Sequence, residues 1–367
     1  MSRNQVITTC PNCSSSQLRY DEQFGKIVCE FCETTISLPP VEGAIVEHPL
    51  QEGLTMADFY VKVETKEKVF HCGNCGSERM LPEDQVTLTC PFCASESVNE
   101  SATETRYIQP DGIGPFVISK EDAYTRFKTW LGKGWFVPDN LKKLASLEKL
   151  EGIYLPFWTF DAKTASDWSA DIGRYYYETQ YYRDANGNQQ SRQVQKVRWR
   201  SGSGSHQWFF DDELVIASKG VTQSSATGVM PFDLEAVVPF APHYMLGWEA
   251  ELYNLDLKES FRVADGIMDT KIKQMIVRDL PGDTYRFLKI RTQKTGHKYK
   301  HLLLPCWVAA YQYKEKPYQF LINGQTGKVS GKKPLSPTKI ALTVLLVAVI
   351  ALVVFLAVEF GEEAGYF

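Results

Sequence analysis

Four CxxC pairs near the start of the chain constrain its fold more than any other feature of the sequence. Eight of the nine cysteines belong to these pairs, and all eight lie within the first 93 of 367 residues. Fifteen residues separate the first two pairs and fourteen separate the last two, and GKIVCEFC in the first set matches QVTLTCPFC in the second. The repetition predicts an internal duplication of one small unit. The cysteines are Cys10, Cys13, Cys29 and Cys32 in the first set and Cys72, Cys75, Cys90 and Cys93 in the second.

Thiols at this spacing are typical of a metal site. Two CxxC turns supply four sulfur ligands, which is the tetrahedral set that Zn²⁺ takes in zinc ribbons. Four cysteines leave no coordination position open, so we expect two structural Zn²⁺ ions rather than a catalytic one. A ribbon of about twenty residues buries too little apolar surface to fold alone, so metal binding should supply much of its folding free energy. His48 and His71 lie nearby in sequence and are predicted not to be ligands.

Disulfides and redox-active dithiols are the alternatives for these cysteines. The segment MSRNQVITTC has no apolar run, so we expect no secretory signal and no oxidising compartment. Redox CxxC motifs normally occur singly, after a strand of a βαβ unit. Cytosolic, metal-bound thiolates are therefore the favoured interpretation.

A second feature, near the other end of the chain, predicts a membrane span. Residues 340–358 read IALTVLLVAVIALVVFLAV, which carries no charge and has Thr343 as its single polar side chain. At 1.5 Å per residue this run would span roughly 28 Å, close to the hydrocarbon thickness of a bilayer. A buried core helix is the alternative, but such helices usually show one polar side. Four lysines precede the run and three glutamates follow it, namely Lys328, Lys332, Lys333 and Lys339, and Glu359, Glu362 and Glu363. Because positive charge stays cytoplasmic, we expect a single-pass protein of the cytoplasmic membrane whose N-terminal bulk is cytosolic.

Changes in composition divide the chain into six parts and predict an α+β fold. The predicted parts are zinc ribbon 1 at 1–40, a linker with one strand at 41–68, zinc ribbon 2 at 69–108, an α+β cytosolic domain at 110–335, the transmembrane helix at 340–358 and a short external tail at 359–367. A Lys/Pro linker, residues 328–339, would join the domain to the helix.

Capping signals and apolar periodicity locate the helices of the main domain. A capping box at Ser119–Asp122 predicts one helix, Pro138 and Asp139 predict the start of a second, and Asp256 begins the strongest one, over 256–279. Residues 233–253 are predicted to be helical but broken by prolines. The strongest helix should bury Leu257, Phe261, Ala264, Met268, Ile272 and Met275.

Two similar runs predict related β-units in the same domain. Leu155-Pro-Phe-Trp158 and Leu304-Pro-Cys-Trp307 both begin stretches of β-type residues. The second run continues into a predicted hairpin, YQFLINGQTGKV, while SGSGS at 201–205 is predicted to be a loop.

A further predicted hairpin carries most of the local positive charge. Residues 175–183 and 192–200 flank an Asn-Gly pair, which is a strong turn signal. Alternation would put basic residues on one face, where they could contact phosphates and stacked bases or anionic lipid headgroups. An ordinary solvated sheet face with cross-strand tyrosines is the other interpretation. The candidate anion contacts are Arg192, Lys196, Arg198 and Arg200.

Motifs of catalysis are missing from the sequence. There is no phosphate-cradling GxxxxGK[ST], no GxSxG and no HExxH. Cys306 lies in an apolar context and is expected to be buried and inert. We therefore predict no catalytic residue. A net charge of −4 also argues against a dedicated duplex-DNA binder.

Taken together, the paired ribbons, KLEGIYLPFWTFDA at 149–162, FDLEAVVPFAPHYMLGWEAELY at 232–253 and the C-terminal apolar helix resemble a bacterial family. It is the transcription factor IIB-type zinc-ribbon membrane proteins, often labelled as relatives of primosomal protein N′ or replication-restart helicases. The resemblance implies association with SPFH-domain and phage-shock-protein-A-like membrane proteins, in membrane stress or recruitment. It also implies the eight zinc ligands as site residues.

Three functional hypotheses follow from the sequence. The first is a non-enzymatic, membrane-anchored adaptor that recruits protein partners. The second is a membrane-tethered nucleic-acid-binding protein, which would need a basic surface such as the hairpin at 174–200. The third is an enzyme or redox sensor that uses Cys306, which would require a reactive thiol.

Overall fold

The computed structural model describes residues 9–21, 25–37, 43–55, 61–62, 68–81, 89–96, 98–101, 106–138, 150–183, 187–314 and 316–363. The helices are α1 (Leu50–Thr55), α2 (Lys120–Gly132), α3 (Gln223–Val229), α4 (Leu257–Asp279) and α5 (Pro337–Glu363), with a 3₁₀ turn at Pro242–Met245. The strands are β1 (Leu18–Asp21), β2 (Lys26–Cys29), β3 (Thr35–Ser37), β4 (His48–Pro49), β5 (Val61–Lys62), β6 (Lys68–Cys72), β7 (Glu78–Leu81), β8 (Val98–Ser101), β9 (Arg106–Tyr107), β10 (Gly112–Ile113), β11 (Glu151–Arg183), β12 (Gln189–Ile216), β13 (Val238–Pro239), β14 (Glu249–Glu251), β15 (Thr284–Tyr313), β16 (Lys316–Asn323) and β17 (Val329–Gly331). This arrangement confirms the α+β class.

Three long strands form the centre of the molecule. Strand β11 has 33 residues and pairs antiparallel with β12 on one side and with β15 on the other. Strands β16 and β17 extend the sheet beyond β15, while β14 runs parallel to the start of β11. Since strands in globular proteins are usually 3–10 residues long, these three strands are unusually long.

The first part of β11 is buried on both faces. Ile153 and Phe157 point to one side, where they pack with α3 and the second cysteine cluster. Trp158 and Phe160 point to the other side, beneath α4. This period of two explains why the sequence there is almost continuously apolar, as in a strand covered on both faces.

Helix α4 covers the sheet as its sequence predicts. The Asp256 carboxylate accepts from the Glu259 backbone N–H at 2.7 Å, which caps the helix start. Its buried stripe repeats at helical spacing and consists of Leu257, Ser260, Ala264, Met268, Ile272 and Ile276. Phe261 and Met275, also predicted for this face, are partly buried against the same cluster.

Helix α2 also begins where predicted, because the Ser119 hydroxyl accepts from the Asp122 N–H at 3.2 Å. Ala123, Phe127 and Leu131 are buried on its inner face. The helix predicted to start at 138–139 falls on residues 139–149, outside the described residues, as does most of the strand expected near 58–66 apart from β5.

The two Leu-Pro-x-Trp motifs lie side by side. Leu155 pairs directly with Leu304 in the antiparallel register of β11 and β15, so the two motifs run past each other in opposite directions. Both are buried, and the hairpin expected after the second is formed by β16 and β17.

The predicted loop at 201–205 is wrong, because these residues continue β12 and pair with residues 167–171 of β11. The glycines make room for neighbouring side chains and do not form a turn. A Cβ at Gly204 would lie 2.8 Å from the Trp168 ring, and one at Gly202 would lie 3.0 Å from Ile172. Glycine in a strand interior therefore marks the close approach of large neighbouring side chains.

The prediction of broken helix over 233–253 is also wrong. The segment is mostly irregular, with the short strands β13 and β14 on either side of one 3₁₀ turn. Pro239 and Pro242 restrict the backbone on either side of Ala241, which is extended at φ −140°. Short pairings of β13 with β10 and of β14 with β11 and β7 then replace helical hydrogen bonds.

Helix α5 begins slightly before the predicted span. Its apolar window covers Pro337–Phe355, with a mean hydropathy of 2.7 and none of it buried. The helix is thus long and apolar enough to cross a membrane. The predicted linker before it contains β17 and makes several hydrogen bonds to residues at the end of α2.

Candidate functional site

All four CxxC turns have the same backbone geometry. In each one, the first cysteine accepts from the N–H four residues later and donates to the carbonyl five residues later, at 2.8–3.0 Å. The residue four positions after that cysteine has a positive φ of 56–74° in every turn. These residues are Ser14, Glu33, Gly76 and Ala94. The two cysteine sets therefore repeat in structure as well as in sequence.

Each set brings its four sulfurs together. In ribbon 1, the Sγ atoms of Cys10 and Cys32 are 3.6 Å apart, as are those of Cys13 and Cys29. The corresponding distances in ribbon 2 are 3.6 Å for Cys72 and Cys93 and 3.7 Å for Cys75 and Cys90. All four sulfurs of a set lie within 4.8 Å of one another.

These separations suit a metal ion rather than disulfides. A tetrahedron of sulfurs about 2.3 Å from Zn²⁺ has edges of about 3.8 Å, whereas a disulfide joins sulfurs at about 2.05 Å. The cysteines are free, and both clusters could hold a metal ion through four thiolates. His48 and His71 instead contact Asp111 and Glu78, as expected for residues that are not ligands.

Hydrogen bonds lower the pKa of one cysteine in each cluster, whereas the bond between Cys75 and Cys90 raises the pKa of Cys75. The Thr34 hydroxyl lies 3.1 Å from the sulfur of Cys32 and lowers the pKa of that thiol to about 6. A hydrogen bond from Cys75 lowers the pKa of Cys90 to about 4, against the opposing effect of burial. Thiolates are the form of cysteine that binds metal.

Ribbon 1 contacts the rest of the protein through a small patch. Strands β1, β2 and β3 form a separate sheet. The Tyr20 N–H donates to the Leu246 carbonyl at 2.9 Å, and the Trp248 indole N–H donates to the Tyr20 carbonyl at 3.3 Å. The Tyr20 ring also packs edge-on against Tyr244, at 4.9 Å between ring centroids.

Ribbon 2, in contrast, is part of the main sheet. Strand β7 pairs with β14, which in turn pairs with β11. Three of its cysteines, Cys72, Cys90 and Cys93, pack in one cluster with Ile153 and Phe157 of β11. The cysteine cluster of ribbon 2 is therefore built into the main core, while ribbon 1 has its own small core.

The two ribbons differ most clearly at one pair of equivalent phenylalanines. Phe31 lies two residues after Cys29, and Phe92 lies two residues after Cys90, so the two occupy the same position in the second CxxC turn of each ribbon. Phe92 is 2% exposed in the shared core, whereas Phe31 is 74% exposed. Ribbon 1 thus presents to solvent the side chain with which ribbon 2 attaches to the sheet.

Charged residues that the sequence analysis missed join ribbon 2 to the sheet. Arg79, with its side chain 3% exposed, contacts Glu249 at 2.5 Å and Glu151 at 3.3 Å. Burial, reinforced by the Glu249 carboxylate and opposed by Arg79, raises the pKa of Glu151 to about 7. Partners 72 and 170 residues apart leave no local signal in the sequence.

The thiol of Cys306 is buried, as predicted. It lies opposite Ile153 in the sheet and is 0% exposed. Burial raises the pKa of this thiol, which disfavours the nucleophilic thiolate.

The predicted basic hairpin is present in the structure, and its two strands extend beyond the end of β15. Strand β15 begins at Thr284, opposite Gly173, so of the described strands only β11 and β12 continue toward the tip. We call the paired segments 174–183 and 189–200 the basic ribbon. Period-two alternation puts four predicted anion contacts on one face, namely Arg192, Lys196, Arg198 and Arg200.

Tyrosines and a glutamate occupy the same face of the basic ribbon. The Arg198 guanidinium lies 5.3 Å from the Tyr176 ring centroid, and Arg192 lies 5.7 Å from that of Tyr182. Lys196 forms an ion pair with Glu178. The arginines are thus stacked on aromatic rings but retain their charge, while Lys196 is already neutralised by its partner.

A shallow groove of about 540 Å³ lies between β12 and α4. Trp208 and Met275 line its apolar side, and Lys271 forms an ion pair with Glu213 at 2.6 Å on the other.

The comparisons with known proteins give one relevant similarity. No family model matches the chain, and no solved structure matches it. YdjG of Bacillus subtilis strain 168, described as an uncharacterized protein, is 28% identical over 245 residues. The match covers 64% of this chain and 67% of YdjG.

Proposed function

We propose that this chain is a non-enzymatic, membrane-anchored zinc-ribbon adaptor that recruits protein partners to the cytoplasmic membrane. In this proposal both four-cysteine clusters hold structural Zn²⁺, and α5 crosses the bilayer with the N-terminal bulk in the cytosol. Membership of the zinc-ribbon membrane family named above belongs to the same proposal, and so do SPFH-domain or phage-shock-type partners.

The exposure of Phe31 is the observation that carries the proposal. Four cysteines complete the coordination of a zinc ion, so the ribbons hold shape rather than perform chemistry. A large aromatic residue on a rigid turn is suited to anchor a partner, because it loses little side-chain entropy on binding. Phe92 already binds a protein surface from the equivalent turn.

Affinity capture of the full chain from detergent-solubilised membranes tests the adaptor. We expect specific membrane proteins, and we expect the exposed substitution Phe31→Ser to lose them while two metal ions per chain and the thermal transition are retained. Thr55→Ser, a conservative change on helix α1, serves as the control. Capture of the same proteins by Phe31→Ser would contradict a role for this side chain, and capture of none by the intact chain would overturn the adaptor.

Nucleic-acid binding is the second candidate, favoured by the arginine and tyrosine face of the basic ribbon. Its test is the affinity of detergent-solubilised full chain for single-stranded nucleic acid over a range of salt concentrations. A steep inverse dependence that Arg192→Gln with Arg198→Gln removes would support it. No binding at low salt would exclude it.

A further inference from the structure

The segment before α5 is bound to the end of α2. The Lys333 ammonium donates to the carbonyls of Trp130 and Lys133, the latter at 2.7 Å. The same ammonium lies 4.1 Å from the Trp130 ring centroid. Because a cation at a helix C-terminus satisfies its free carbonyls, Lys333 fixes this segment to α2.

Two more hydrogen bonds continue this attachment into the first turn of α5. The Ser336 N–H donates to the Phe136 carbonyl at 2.7 Å, and the Lys339 ammonium donates to the Val137 carbonyl at 2.9 Å. The loop after α2 therefore runs beside the start of the apolar helix. We call residues 130–138 the α2 platform.

Trp135 places the α2 platform at a particular depth along the helix. Its indole N–H lies 3.3 Å from the hydroxyl of Thr343, yet the residue is 77% exposed. Thr343 is three residues into the uncharged run, which is about 4.5 Å along the helix axis. Tryptophan at this level matches the aromatic belt found where helices enter the hydrocarbon region.

The two stretches that pack together at Trp135 carry only basic charged residues. Residues 123–138 and 326–358 contain no Asp or Glu. Their cations are Arg126, Lys128, Lys133, Lys328, Lys332, Lys333 and Lys339. Lys133 and Lys332 are exposed and are therefore free to face an anionic surface.

We propose that the α2 platform is a lipid-binding surface that lies in the headgroup region of the anionic leaflet where α5 enters the membrane. Trp135 occupies the interface, and Lys133 and Lys332 contact lipid phosphates. The proposal rests on the membrane span of the proposed function. It adds that the soluble domain is held against the bilayer by α2 as well as by its covalent anchor.

Site-specific labels on the full chain in vesicles test this surface. The described native thiols are either metal-ligand candidates or, for Cys306, buried, so one added cysteine on the zinc-loaded protein can carry the probe. Trp135→Cys reports the platform, Leu335→Cys reports it with Trp135 intact, Val349→Cys reports the span, and Thr270→Cys on the exposed face of α4 is the aqueous control. The fluorescent label is quenched either by aqueous iodide or by a spin label on the lipid headgroups.

We expect headgroup quenching at positions 135 and 335 to be several-fold stronger than at 270, and iodide quenching to be several-fold weaker. If labels at 135 and 335 behave like the label at 270 while the label at 349 is shielded from iodide, the platform proposal fails and the span survives. If 349 is also open to iodide, both the span and the platform fail.

Charge is tested separately with vesicles that contain or lack an anionic phospholipid. Headgroup quenching at 335 should rise severalfold with anionic lipid, and Lys133→Gln with Lys332→Gln should remove that rise. Equal quenching in both lipids would overturn the phosphate contacts.

Discussion

Arg79 and Glu249 form an ion pair, 2.5 Å from Nη1 to Oε2, that joins ribbon 2 to the main sheet. Arg79→Met should lower the free energy of unfolding by about 2–3 kcal/mol, because it removes a buried guanidinium and leaves the partly buried Glu249 carboxylate without its partner. Chemical denaturation at pH 8 measures this loss. Arg278→Met is the matched control, since the Arg278–Asp279 pair is exposed and such pairs contribute at most about 1 kcal/mol. Equal losses in the two variants would show that the buried pair has no special role.

Loss of one ligand should have different consequences in the two ribbons. Cys90→Ser should increase amide hydrogen exchange in β11 and β15, because Cys90 packs in their core. Cys29→Ser should increase exchange in β1, β2 and β3 alone. Each variant should lose one metal ion by elemental analysis. Unchanged exchange in β11 after Cys90→Ser would contradict the shared core.

The left-handed residues in the cysteine turns predict opposite effects of two substitutions. Ala94→Gly should raise the zinc-loaded protein's stability by about 1 kcal/mol and Gly76→Ala should lower it by a similar amount, since a Cβ disfavours positive φ. Melting temperatures measured with excess zinc give the comparison. A shift of the same sign in both variants would contradict the prediction.

Gly204 should be intolerant of a methyl group. Gly204→Ala is expected to cost about 1–3 kcal/mol, because the new Cβ would lie 2.8 Å from Trp168. The control is Gly266→Ala on the exposed face of α4. No atom lies within 4 Å of a Cβ at this position, so the free energy of unfolding should rise by about 1 kcal/mol. Thermal unfolding of both variants tests the pair, and a stabilising Gly204→Ala would refute the packing argument.

Acid should destabilise the protein through His301. Burial lowers the pKa of His301 to about 4 from 6.5, despite the nearby Asp111 carboxylate, so the folded protein keeps this imidazole neutral. As the pH falls below 6.5, the unfolded chain binds a proton that the folded chain does not, and at pH 5 the loss is about 2 kcal/mol.

The variant His301→Asn isolates this titration from other acid effects. The difference in unfolding free energy between pH 7 and pH 5 should be smaller in the variant by about 2 kcal/mol. Zinc loss and the titration of carboxyl groups affect both proteins equally, so their contributions cancel when the two differences are compared. If the change in unfolding free energy between pH 7 and pH 5 is the same in both proteins, His301 has the same pKa in the folded and the unfolded chain.

Local patterns predicted the local structure well. The capped starts of α2 and α4 and the buried stripe of α4 depend on neighbours three or four residues apart, which the sequence displays directly. The cysteine clusters were predictable for a similar reason, because four-thiolate metal sites require a characteristic spacing of the cysteines.

Long-range packing was not predictable in this way. SGSGS at 201–205 has loop composition, but Trp168 and Ile172 on a neighbouring strand require the missing side chains. The contact of Arg79 with Glu249 and the contrast between Phe31 and Phe92 likewise depend on which surfaces meet. Such relationships appear only when distant parts of the chain are placed together.

The length of β11 separates two cationic regions of the chain. Tyr154 packs in the cluster that includes α2, whereas Tyr176 lies on the basic ribbon. The 22 residues between them correspond to about 70 Å along the strand, and the Debye length at physiological ionic strength is about 8 Å. The charges of the two regions are therefore screened from each other. Each region can attract its own anionic ligand, and salt will weaken the two attractions independently.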